Sequence, residues 1–388
     1  MVSKMNKLKS LLLAGATTLS LVACNKSSNS TSSTTSNTTL GNWVKVADID
    51  GSGRYYASSF VIGNYAYVVG GAGYGNTPSA TALKDMWRFD PSANGGQGSW
   101  FGTQLAPIPV GRNSGVGFAI NNKGYVGTGS TVFNINQGGT QLNDMWEYDP
   151  TANTWKQMAS VPGGPRFAAI GFNIGNLGYV GTGQVADPNN PGNYISIKDF
   201  YSFDPTKSDT GKWVAESSMV NDKRYGAQSF ANNSMGYVVG GINDGGTAST
   251  DFEVFTPGAA QGAGTWKVLT PIKPLSDSSK TSAYTSDLAR CNGVVLVIGG
   301  YAYLVTGSTS YQGASVNTNW MYNFQTDQWV QRSPYPTANT TPRPARFGAV
   351  GFVVNGRAFV GSGTASVSQK PFSTFDEFQP NVQLNTNN

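Results

Sequence analysis

Six arginines in this chain, Arg54, Arg112, Arg166, Arg224, Arg290 and Arg346, are each followed seventeen residues later by a glycine. Those glycines are Gly71, Gly129, Gly183, Gly241, Gly307 and Gly363, and successive arginines lie 58, 54, 58, 66 and 56 residues apart. A fixed internal offset recurring at a period of this size is the mark of a repeat architecture. Between each arginine and its glycine lie two short strands joined by a Gly/Asn turn, as in RFAAIGFNIGNLGYVGTG from Arg166. After a polar loop come an Asp, an aromatic strand, an Asp-Pro type turn and a strand carrying a tryptophan. Six tryptophans mark these fourth strands: Trp43, Trp100, Trp155, Trp213, Trp266 and Trp329.

Four strands in each of six units predict an all-β, six-bladed propeller. The first tryptophan precedes the first arginine, while the sixth unit ends near Phe378 without one. The strand around Trp43 is therefore expected to complete the last blade and close the ring. A single unit cannot bury both of its faces, so closure is what should make the domain stable. The domain organisation that follows is a leader over 1–24, a tether over 25–40, the propeller over 41–380 and a tail over 381–388.

The diglycines Gly70-Gly71 and Gly240-Gly241, the aromatic strand after them and the spaced tryptophan resemble the kelch repeat family, over roughly residues 41–380. The resemblance implies a six-bladed kelch-type propeller closed by an N-terminal strand. Its members include adaptors, scaffolds, an epimerase and copper oxidases, so the fold leaves function open.

Residues 1–24 carry Lys4, Lys7 and Lys9 ahead of an apolar run too short to span a bilayer as a helix. The run ends Leu21-Val22-Ala23-Cys24, which resembles a bacterial lipobox and makes Cys24 the expected lipidated residue. An ordinary secretory signal is the alternative. Asn25 to Thr39 is nearly all Ser, Thr and Asn and reads as a flexible tether. These features imply a protein anchored by lipid in a bacterial cell envelope, at the outer membrane, with the side left open. The net charge of +5 includes the three leader lysines, and no Lys/Arg run follows, which argues against nucleic acid. Only Cys24 and Cys291 are present, so a lipidated Cys24 leaves no disulfide.

The recurring Asp85, Asp144, Asp199 and Asp251, like Asp90, Asp149 and Asp204, are expected to bond backbone N–H groups at turns. Trp320 in unit five and Thr374 in unit six take the place of the first set. Unit five admits two registers, one with Arg290 and a rival with Ala283; the first is preferred.

Strands alternate in direction, so the arginines and the loops after the second strands should surround one mouth of the central channel. An arginine ring there reads as an anion receptor, through bidentate grip on carboxylates; the alternative is that each arginine bonds neighbouring carbonyls and packs its stem. Arg112 and Arg166, with no acidic residue close in sequence, are expected to be the freer pair. Loop residues Tyr74, Asn134, Tyr194, Asn243 and Tyr311 join them as candidate ligand contacts. The chain has no histidine, which removes Ser-His-Asp chemistry and histidine-ligated metals. DIDGSG and NDGG hint at calcium loops but lack the later acidic ligand. No cofactor or metal is expected.

The reading is a monomeric, membrane-tethered binding module for an acidic or polar glycan or a segment of another envelope protein. A sugar mutarotase or epimerase acting on an acidic sugar such as sialic acid is the alternative, with Asp187, Asp222 and Asp244 as its non-periodic acid/base candidates. A purely structural scaffold is the third.

Overall fold

The computed structural model describes residues 40–74, 81–132, 139–271, 289–311, 313–336 and 344–385. The leader, Cys24, the tether up to Thr39, Asn134 and Ala283 lie outside them.

The inner strand of each unit alternates buried and half-buried residues, as in Ser58–Ile62, Val116–Ile120 and Ile170–Ile174. The second strand is buried along nearly its whole length, as in Tyr65–Val69 and Leu177–Gly181, because both faces meet neighbouring blades. Each unit is a four-stranded antiparallel sheet, and there are six such sheets. Blade one runs Ser58–Ile62, Tyr65–Val69, Met86–Asp90 and Ser99–Phe101 from the axis outward. In blade six the outer strand is Leu40–Lys45, paired antiparallel with Phe375–Gln383 so that Trp43 faces Phe378. The protein is thus an all-β, six-bladed propeller closed by its N-terminal strand.

The core sits between blades, not within them. Phe89 and Trp100 of blade one pack with Phe352, Phe359 and Phe375 of blade six. Phe60, Tyr67 and Met86 pack with Val126 and Tyr148 of blade two. The indole N–H groups of Trp100, Trp155, Trp213 and Trp266 donate to the carbonyls of Ala47, Ala106, Ala159 and Ser217, at 2.9–3.0 Å. Each of these carbonyls lies on the connector leaving the preceding blade, so the tryptophan repeat staples blade to blade.

Two closed circuits of backbone hydrogen bonds surround the axis. In the first, Tyr56, Ser114, Ala168, Gly226, Asn292 and Gly348 each donate an N–H to the carbonyl of the member before, at 2.8–2.9 Å. All six have positive φ, between 51° and 61°. Four are not glycine, and a side chain in that conformation persists only where its surroundings enforce it. In the second circuit each repeat glycine donates to the carbonyl of the next blade's arginine, Gly71 to Arg112 and so on round to Gly363 and Arg54, at 2.7–2.9 Å. Gly71 has φ +97, and a Cβ there would meet Ala57 and the Tyr55 carbonyl at 3.0–3.1 Å, so glycine is required.

Blade five follows the Arg290 register. Gly299-Gly300 forms the turn between Val294–Ile298 and Tyr301–Val305, and Asn292 takes its place in the first circuit. Asp90, Asp149 and Asp204 accept backbone N–H bonds from Ser92, Thr151 and Thr206, as turn residues should.

Candidate functional site

The six arginines lie at the mouth end of the inner strands, but none faces the opening. Each is 0–1% exposed. Nη1 of each donates to the carbonyl sixteen residues on, at Gly70, Thr128, Thr182, Gly240, Thr306 and Ser362, over 2.9–3.2 Å. The guanidinium then meets the residue just before the third strand. Arg54 grips Asp85 at 2.8 and 2.7 Å, Arg112 grips Asp144 at 2.7 and 2.8 Å, and Arg166 grips Asp199 at 2.7 and 2.8 Å. Arg224 bonds Asp251 at 2.8 Å. In blades five and six the partners are Thr318, through its carbonyl at 3.1 Å, and Thr374, through its hydroxyl at 3.1 Å.

This geometry corrects three expectations. Arg112 and Arg166 are not free; both are held in bidentate ion pairs. Asp85, Asp144, Asp199 and Asp251 are structural, yet their partner is the arginine and not a turn N–H. Thr318, two residues before Trp320, holds the arginine-partner position of blade five, and Trp320 itself aligns with Trp87 and Trp146. Arg224 takes from Asp222 only its carbonyl, at 3.1 Å, as Arg112 does from Val110. At Asp85 burial pulls the carboxyl upward, but the hydrogen bonds and charge of Arg54, with the Trp87 indole, outweigh it and hold the group below its ordinary value. The arginines fasten the second and third strands to the inner one.

What faces the opening is the residue one or two positions after five of the six arginines. Tyr56, Asn113, Phe167, Tyr225 and Asn292, with Tyr311, line a recess of about 20 Å³. One step further along the inner strands, Ala57, Gly115, Ala169, Ala227, Gly293 and Ala349 surround a throat of about 160 Å³. The Tyr225 and Tyr311 rings stand 5.9 Å apart, and Tyr311 is 43% exposed. Burial, with Tyr311, Cys291 and Asp244 nearby, pushes the Tyr225 phenol up to about 12. Burial likewise pushes the Cys291 thiol up to about 11. Burial and the neighbouring Tyr74 and Tyr311 raise the Tyr55 phenol. The lining mixes phenols and amides with Phe167, Val132 and Ala168 and holds no Lys, Arg, Asp or Glu. Tyr194 stands edge-on to Phe167 at 5.3 Å, and its hydroxyl accepts from Gln141 at 2.8 Å.

Three sequence candidates converge elsewhere on the rim. Asp222, Asn243 and Asp244 share a hollow of about 380 Å³ with Lys198 and Lys223. Asp244 accepts the Ser196 N–H at 2.8 Å, and Asn243 accepts the Thr247 N–H at 3.1 Å. Asp187 stands apart: it accepts from Asn190 at 2.7 Å and the Asn189 N–H at 2.8 Å, and these bonds hold its carboxyl below the ordinary value.

The description of the Kelch motif matches residues 289–334, which span blade five from just before Arg290 to just past Trp329. With six sheets round one axis, that match falls on one blade of a propeller. The chain is a six-bladed propeller that carries a Kelch motif. Among curated proteins, the propeller is similar to an N-acetylneuraminate epimerase of Shigella sonnei, strain Ss046, at 32% identity over 142 residues. That match covers 36% of this chain and 34% of the epimerase, so it spans about a third of the relative's length. Among solved structures, YjhT superposes with a TM-score of 0.63 at 15% identity, covering 84% of this chain and 95% of that one. A likeness at that identity is one of fold.

The residues at the mouth that sequence reading missed, Tyr56, Asn113, Phe167, Tyr225 and Asn292, had a signal. The six repeats agree at the arginine and the glycine but differ just after the arginine, where only the backbone is constrained.

Proposed function

We propose that the protein is a binding module for a polar ligand, a glycan in the first instance, held at the tyrosine- and amide-lined mouth and not by the arginines. The observation that carries this reading is the lining itself. Aromatic faces stack on sugar rings, while Asn292 and the phenols offer both donors and acceptors. The arginines, four closed into ion pairs and two bonded to threonines, are all buried and leave the mouth without the cationic ring an acidic ligand would need. Screening the full-length protein on a glycan array identifies the ligand. Tyr311→Ala should then weaken binding about tenfold, or about 1.4 kcal/mol, with the melting temperature unchanged. Equal affinity for wild type and Tyr311→Ala would remove the mouth as the binding site.

The similarity to an N-acetylneuraminate epimerase favours a second reading, a sugar-transforming enzyme acting on an acidic sugar. Asp222 and Asp244, beside Lys198 and Lys223, would supply its acid and base at the rim hollow. Anomer exchange of N-acetylneuraminate, followed by NMR with and without the protein, distinguishes catalysis from binding.

We also propose that the propeller is tethered to a bacterial envelope membrane by lipid on Cys24, on the strength of the Leu-Val-Ala-Cys sequence and the Ser/Thr/Asn run after it. Cys24→Ala should move the protein from the membrane fraction to the soluble or uncleaved pool. A variant that stays with membranes through a salt wash would remove the tether.

A further inference from the structure

Arg88 is a residue of blade one that the repeat does not account for. The corresponding third-strand positions hold Glu147, Ser202, Val254, Met321 and Glu377. Glu147 is engaged by the Tyr125 hydroxyl at 2.6 Å, and Glu377 by Arg357 at 2.7 Å. Arg88 instead lies across the sheet from Tyr67. Its Nε is buried without a hydrogen-bond partner. Among the described residues no carboxylate forms an ion pair with it. The guanidinium sits 4.6 Å from the Tyr65 ring centre and 5.4 Å from that of Phe101. Phe101, a large apolar side chain, is 46% exposed.

Arg88, Tyr67 and Phe101 border a cleft of about 450 Å³ between blades one and two, whose walls also include Asp50, Trp87, Gln104, Tyr148 and Asn153. We propose that this cleft binds a ring-sized organic carboxylate through Arg88. A guanidinium fixed between aromatic rings, with no carboxylate in direct ion-pair contact among the described residues, is organised in advance for a carboxylate. Phe101 offers an apolar platform for the ring that carries it. Gln104 and Asp50 can bond hydroxyls on that ring, so a uronic acid suits the cleft better than an unsubstituted aromatic acid. The site lies away from the mouth, between the flanks of two blades, and does not depend on what the mouth binds.

Calorimetric titration of the full-length protein with glucuronate, benzoate and glucose at low salt tests this. Wild type should bind glucuronate and not glucose. Arg88→Gln should weaken glucuronate binding about tenfold or more, as expected for loss of a charge-assisted bond. Tyr311→Ala, at the mouth, should leave it unchanged. Benzoate binding as tight as glucuronate would support the carboxylate site and show that the hydroxyls add nothing. Because Arg88→Gln could lower stability, Phe101→Ala, at an exposed position on the same wall, is the second variant, and it should also weaken binding. No uptake of either carboxylate by wild type at millimolar concentration, or affinity unchanged in both variants, overturns the proposal.

Discussion

Replacing Arg112 and Arg166 together by alanine should unfold most of the protein at room temperature. Each change leaves a carboxylate, Asp144 or Asp199, without its partner in a largely enclosed site, and strips a donor from the carbonyl of Thr128 or Thr182. Removing one side of a buried ion pair costs about 3–5 kcal/mol. Two such losses rival the ~5–15 kcal/mol that a typical domain has in total. The pairs stand in adjacent blades and share the second backbone circuit, since Gly129 donates to the Arg166 carbonyl. Their losses should therefore couple instead of simply adding. Thermal and urea unfolding of the single and double variants measure this. A double variant that melts with wild type would mean the arginines are ornaments of the repeat and not its fastening.

The ring closure should show an effect of similar size. A chain beginning at residue 50 lacks Leu40–Lys45 and leaves Phe375–Gln383 as an exposed sheet edge, which invites pairing between molecules. Trp43 is 1% exposed and packs on Tyr335 at 4.8 Å and Phe378 at 4.6 Å. Trp43→Ala should therefore cost about 3–5 kcal/mol. Trp155, half-buried in its blade, should cost less, so the six tryptophans are equal in sequence but not in packing. The check is differential scanning calorimetry of both variants beside the shortened chain. Equal melting of the shortened chain and wild type would leave the closing strand without a stabilising role.

The fold was legible because its determinants recur. An offset of seventeen, repeated six times, reports a backbone requirement, and the glycine at its end is needed for a φ near +90° that other residues resist. The same regularity misled the reading of the site. A ring of arginines resembles a receptor until their partners are found, and Asp144 and Asp199 lie 32 and 33 residues away, beyond the reach of neighbourhood reasoning. Yet the aspartates recur in step with the arginines, and two sets that repeat together are candidates for pairing. Where Asp gives way to Thr318 and Thr374, the arginine keeps its place by bonding a carbonyl or hydroxyl, so the clamp survives loss of charge. Irregular positions carried the other information. Tyr56, Ser114, Ala168, Gly226, Asn292 and Gly348 differ in side chain while sharing one backbone conformation. Sequence alone could not say which irregular loop residues meet, because Asp222 and Asp244 come together only once blades three and four are packed.

The closed circuit at the axis also limits how the channel can behave. Widening the throat between any two blades would break a hydrogen bond in the first circuit and strain another in the second, with no weaker seam to take up the displacement. The opening joint of the ring lies at the perimeter, where Leu40–Lys45 meets Phe375–Gln383, and the axis is bonded alike at all six junctions. The throat is therefore an aperture of fixed diameter and not a gate. A molecule that reaches the mouth is admitted or refused by its size and shape, and adaptation to it falls to the side chains and loops above the rim.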